Sequence, residues 1–172
     1  MTTSKLKVLI TRPQEKGRVL AEKLTGLGIF ALPQPLFSYR SLADQSTIKL
    51  ALANSPNPML IFVSVAAVNF AHASWPLQHW PYQNVIAVGT ATQQALQQHG
   101  LDKVVCPQQH NSEGVLALPE LSEVDGKEIL IIRGNGGREL MADTLRQRGA
   151  KVNYLESYQR IWLSLPKDIP QQ

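Results

Sequence analysis

Short apolar runs of strand length recur along this chain, and each leads through a turn into a helix-like segment. Residues 6–11 (LKVLIT) give way at Arg12-Pro13 to residues 14–27. There Val19, Leu20, Leu24 and Leu27 fall at helical spacing, and Gly26 and Gly28 end the helix. Residues 59–64 (MLIFVS) run into AAVNFAHA, and residues 84–88 pass through Gly89 into a helix over 90–99 closed by Gly100. Residues 127–133 (KEILIIR) pass through Gly134-Asn135-Gly136-Gly137 into a helix over 138–148 closed by Gly149. Shorter members are strands at 29–32 and 103–106 and helices at 46–53 and 112–118. Strands alternating with helices in this way predict an α/β fold of open parallel sheets flanked by helices. Ligands of such sheets bind outside the carboxyl ends of the strands, so Thr11, Ser64, Gly89 and Gly134 mark where chemistry belongs.

Two stretches depart from the rhythm. Pro33 and Pro35 bracket a break at Gln34, after which 36–42 is extended; the final strand, 151–161, is unusually long. The break predicts a crossing between domains, since proline cannot continue a hydrogen-bonded ladder.

A chain of 172 residues suits one ordinary domain, or a small domain with part of a second. Cys106 is the only cysteine, residues 1–7 lack the apolar core of a signal peptide, and no window approaches the length of a membrane span. A cytoplasmic protein is the expectation. The net charge is +4, but Lys and Arg form no run and aromatics are only 6%, which favours an acidic small molecule over nucleic acid as partner.

The loop from Arg133 to Arg138 is the most functional-looking local feature. Its glycines let the backbone approach a ligand, a following helix would aim amides at it, and two guanidiniums can fork onto carboxylate. An ordinary tight turn with solvent-facing arginines reads equally well. Thr11-Arg12-Pro13 and Gly89-Thr90-Ala91-Thr92 sit at strand ends of the same kind, with helix capping as the plainer reading. His72, His79, His99 and His110 show no metal-ligand spacing, so no metal site is expected.

Taken in order, VLITRP, LIFVSVAAVNF, VIAVGTATQQAL, PQQHNSEGVLAL, ILIIRGNGGRELMADTLRQRGAKV and ESYQR resemble the uroporphyrinogen-III synthase family over residues 6–161. The resemblance implies two domains, each an open parallel sheet flanked by helices, joined by two connector strands. Residues 1–35 would begin a discontinuous first domain. Residues 36–161 would form the second, with connectors at 36–42 and 155–161, and 162–172 would lead back to the first. It implies cyclisation of hydroxymethylbilane to uroporphyrinogen III, with ring D inverted and water lost, and without metal or cofactor. Tyr158 matches the tyrosine proposed to assist departure of the hydroxyl. Thr92 matches a crevice threonine, while Ser64 and the backbone of Val65 and Ala66 match the turn that approaches the pyrrole carboxylates. Gly89 and Gly134 share those strand ends, and Arg12, Arg133 and Arg138 are added on electrostatic grounds.

Two departures stand against the resemblance. Val63 replaces a frequent threonine, and the family's first domain is completed by sequence that this chain lacks. The family form is expected to be monomeric. This chain is expected to be poorly active, and to self-associate through residues 6–32 or to belong to a longer protein. Two alternatives remain open: a non-enzymatic module binding an anion at the Arg133 loop, and a truncated, inactive paralogue.

Overall fold

The computed structural model describes residues 7–137 and 139–164. Contacts divide the chain into two compact units, one of residues up to Arg40 and from Arg160, the other Ser41–Gln159.

The first unit opens with strand β1 (Lys7–Ile10), helix α1 (Gln14–Gly26) and strand β2 (Phe30–Pro33). β1 and β2 pair in parallel as a two-stranded sheet, from Lys7 opposite Phe30 to Ile10 opposite Pro33. Ile10 and Ala21 are its buried apolar residues among those described. Strand β3 (Phe37–Ser41) follows the proline break, and Phe37 meets Tyr39 and Trp162 edge to face at 5.5 and 5.8 Å.

The second unit carries helix α2 (Gln45–Ala53), strand β4 (Met59–Phe62), helix α3 (Val65–Ser74), strand β5 (Asn84–Ala87) and helix α4 (Thr90–Gln98). Strand β6 (Val104–Val105), helix α5 (Ser112–Leu116), strand β7 (Glu128–Gly134), helix α6 (Leu140–Gln147) and strand β8 (Lys151–Trp162) complete the order. The sheet runs β3-β8-β7-β4-β5-β6, and β8, β7, β4, β5 and β6 are parallel neighbours. Asp44, Ser64 and Asn111 cap α2, α3 and α5 by accepting amides from Thr47, Ala67 and Gly114. Gly100 and Gly149 end α4 and α6 with φ of 83° and 85°, a conformation that costs other residues steric strain.

The core follows from the strand period. Met59, Ile61, Ile129 and Ile131 cluster with Met141, Ala142 and Leu145 of α6 and Val115 of α5. Phe62 turns the other way, to within 6.3 Å of the Trp80 ring. Both faces are therefore covered, which is why these strands are apolar throughout instead of alternating.

The long final strand is confirmed, and β3 lies beside it in the sheet. The sheet is not wholly parallel. Leu42 donates its amide to Ser157 O while Leu163 donates to Leu36 O, a pairing of opposite chain directions. Helix α6 begins at Leu140, later than residue 138, with Glu139 as its N-cap residue.

Candidate active site

Because β7, β4 and β5 are adjacent and parallel, their carboxyl ends stand side by side, and Gly134, Ser64 and Gly89 occupy them. After Phe62 the chain leaves the ladder. Val63 packs against the core and gives its amide to Ile132 O at 3.1 Å, so the side chain replacing the frequent threonine turns inward. Ser64 is extended, and its Oγ accepts the Ala67 amide at 3.1 Å. Val65 and Ala66, both half-buried, form the first turn of α3, where amides lack intrahelical partners. Gly89 precedes α4 in the same manner, and Thr92, 5% exposed, gives its amide to Gly89 O at 3.0 Å.

Tyr158 reaches this edge from β8. Arg133 pairs with Glu156, but the next pair is Gly134 with Tyr158, so Ser157 is an extra residue in the strand. Such a bulge turns consecutive side chains toward one face. Ser157 Oγ lies 3.3 Å from Ala67 O of α3, and the Tyr158 ring stacks on Phe70 of α3 at 5.6 Å and 24°. Tyr158 is 7% exposed, and its Oη stands 3.2 Å from Ser64 Oγ. The site thus joins two hydroxyls at the mouth of a helix, above an aromatic floor.

The arginines behave otherwise. Arg133 donates to Glu139 Oε1 at 2.9 Å, has Glu156 Oε1 at 3.6 Å, and lies 3.6 Å over the Tyr154 ring. Its Nε is buried without a hydrogen-bond partner. Glu156 also accepts from Asn135 Nδ2 at 2.7 Å and from the Gly136 amide at 3.4 Å. The glycine loop already holds an anion, and it is this carboxylate. An exposed guanidinium fork at Arg133 is therefore corrected to an internal clamp. Arg138, its expected companion, lies outside the described residues. Tyr154 donates to Glu139 Oε2 at 2.5 Å; burial, then that hydrogen bond, pushes its hydroxyl up to about 12. The same bond, followed by Arg133, holds the Glu139 carboxyl below its ordinary value.

Arg12 belongs to the first unit. It is exposed at the end of β1 and lines a depression of about 260 Å³ with Glu15, Lys16, Val19, Leu20 and Lys23. Among the described residues no group of three His, Cys, Asp or Glu side chains is placed to hold a metal, and no helix is long and apolar enough to cross a membrane.

Sequence reasoning missed Phe70, Ser157, Glu139, Tyr154 and Glu156. The spacing Tyr154-x-Glu156 puts both side chains on one strand face, a usable signal for the Arg133 clamp. The bulge left no such signal.

Against known proteins, the profile of the uroporphyrinogen-III synthase HemD family matches residues 18–171. The chain is 39% identical over 160 residues to the uroporphyrinogen-III synthase of Salmonella typhimurium strain LT2, covering 90% of this chain and 65% of that protein. It is 40% identical over 165 residues to that of Escherichia coli K12, again 90% and 65%, and 36% identical to that of Proteus mirabilis, 92% and 82%. The chain thus spans about 65% of the length of the first two. A solved uroporphyrinogen III synthase from Thermus thermophilus superposes with a TM-score of 0.70 at 18% identity, over 91% of this chain and 63% of that one. The Helicobacter pylori structure gives 0.58 at 18% identity, over 95% and 65%. These two carry the fold alone, but the family profile and the bacterial relatives carry more, and on them the chain belongs to the uroporphyrinogen-III synthase family.

Proposed function

We propose that this protein cyclises hydroxymethylbilane to uroporphyrinogen III in the cytosol, and that the second unit's sheet edge is where it does so. The observation carrying the reading is the hydroxyl pair of Tyr158 and Ser64, 3.2 Å apart, with the buried Tyr158 ring stacked on Phe70. The reaction begins as the terminal C–O bond of the bilane breaks and the hydroxyl, taking a proton, leaves as water. The azafulvene cation so formed is attacked by the substituted carbon of ring D. The spiro intermediate then fragments and recloses with ring D inverted.

Little covalent work falls to the protein. It must hold a polycarboxylate folded and offer a hydrogen-bond donor to the leaving oxygen. Tyr158 Oη is that donor, and Ser64 Oγ, fixed by the Ala67 amide, holds the phenol in place. The first amides of α3 and α4, among them those of Val65 and Ala66, receive substrate carboxylates at the positive ends of the helix dipoles, beside Gly89 and the hydroxyl of Thr92. Arg12, exposed on the first unit, adds to the positive charge that draws a polyanion to the protein. The competing reading, an anion-binding module using the Arg133 loop, loses force because Glu139 and Glu156 already occupy that guanidinium.

The test is an assay resolving type III from type I uroporphyrinogen. Tyr158→Phe should lower turnover about 10²-fold while changing KM far less, as expected for a proton donor used in the transition state. A folded variant with unchanged turnover reduces Tyr158 to packing.

A further inference from the structure

We infer that Gly134 is a positioning residue: the space beside its Cα is the seat of the Tyr158 ring, and Gly134 serves the reaction through that tyrosine without touching substrate. The inference rests on the reading of Tyr158 given above. A glycine at the carboxyl end of a sheet strand is usually explained by a turn or by close approach of a ligand. Neither applies. Gly134 lies in β7 and is not among the glycines with left-handed φ, so its backbone would accept alanine without strain. A Cβ built there would lie 2.6 Å from Cζ, 2.7 Å from Cε2 and 3.0 Å from Oη of Tyr158. The three nearest atoms all belong to that one side chain, so ligand has no room where the tyrosine already sits.

The bulge explains how the ring arrives. With unbroken period-two alternation, residue 158 would share a face with Tyr154 and Glu156, the side of the Arg133 clamp. The extra residue, Ser157, sends Tyr158 to the α3 side, over the glycine with which it is paired. Phe70 stacks on the ring and Ser64 holds its hydroxyl. A methyl group at 134 therefore cannot be absorbed by a small rotation. The rigid ring must swing, and Oη leaves Ser64.

The test is a double-mutant cycle with a spectroscopic arm. Gly134→Ala should lower kcat about 10²-fold, as Tyr158→Phe does, with KM changed less than about threefold. Added to Tyr158→Phe, it should cost no more than about threefold further, because the hydroxyl it misplaces is already gone. The near-ultraviolet dichroism lost in Tyr158→Phe should also be lost in Gly134→Ala. An equal loss of activity in both backgrounds, a rise in KM with kcat intact, or an unchanged dichroism band overturns the inference. Should Gly134→Ala fail to fold, Gly134→Ala/Tyr158→Ala should be as stable as Tyr158→Ala alone; a further loss there would place the clash elsewhere. Should Tyr158→Phe retain full turnover, the catalytic reading falls and with it this role, while dichroism and stability still report whether the seat exists.

Discussion

In β4, Met59, Leu60, Ile61 and Phe62 are all buried, whereas in β1 (KVLI) only Ile10 is. As sequences the two strands are close kin, and both precede a turn and a helix. The difference is in their neighbours. β4 has β7 and β5 on its two edges and helices over both faces; β1 pairs with β2 in a sheet of two strands. Leu9, Leu27, Phe30 and Leu32 of the first unit are exposed as a result. An apolar run therefore specifies a strand, while burial comes from the partners that flank it. Most of the hydrophobic stabilisation then belongs to the second unit, where side chains leave water completely.

The largest expected effect puts that contrast to a direct test. Phe62→Ala, at a residue 0% exposed, should lower unfolding free energy by about 3–5 kcal/mol, whereas Phe30→Ala, at 60% exposure, should cost less than about 1 kcal/mol. Denaturant melts of both variants measure this, and similar losses would break the comparison. A smaller effect concerns helix starts. Ser64 caps α3 through Ala67, while α1 follows Pro13 with no side-chain cap. Ser64→Ala should cost about 1 kcal/mol of second-unit stability, read by the same melts, and no substitution at position 13 removes an equivalent bond.

The same contrast shows what the sequence could and could not disclose. Strands such as MLIF and EILIIRG were legible because both faces are buried and no alternation blurs them. The sheet edge carrying Ser64, Gly89 and Gly134 followed from the order of elements and the parallel rule. The seat of Tyr158 did not. It depends on the register of β7 against β8 and on one inserted residue, and neither alters the local pattern of apolar and polar residues. Arg133 misled for a related reason. A guanidinium beside glycines suggests a ligand fork, and its true partners lie in α6's lead-in and in β8, at Glu139 and Glu156. Long-range pairing decided both cases.

Mild acid should sharpen the comparison with the smallest effect. His72 and His99, at the ends of α3 and α4, stack with ring centroids 3.8 Å apart. His72 Nδ1 accepts the Leu77 amide at 3.4 Å, which only the unprotonated nitrogen can do, and His99 Nε2 pairs with Asn69 Oδ1 at 3.1 Å. Burial, and secondarily the charge of His99, hold the His72 imidazolium below its ordinary value of 6.5. With the folded value depressed, the unfolded chain takes up the proton first. The contribution is therefore complete above 6.5 and is lost as pH falls from there through the lower folded value. Among the described residues of the first unit the shifted group is Arg18, raised by its hydrogen bond to Glu15 and the charges of Glu15 and Glu22, and it titrates far above this range. Asp44, held to about 2 by the Thr47 amide and hydroxyl, loses its cap only in stronger acid. Lowering the pH from about 7 to about 5 should thus reduce the amide-exchange protection (rates taken relative to the unfolded chain at the same pH) of Leu77 and the ends of α3 and α4, leaving that of β1 and β2 unchanged. His72→Gln, which keeps an acceptor for Leu77 but cannot titrate, should abolish the change. Acid-induced loss of protection appearing first in β1 and β2, or persisting in His72→Gln, would mean that the histidine pair does not set the acid response.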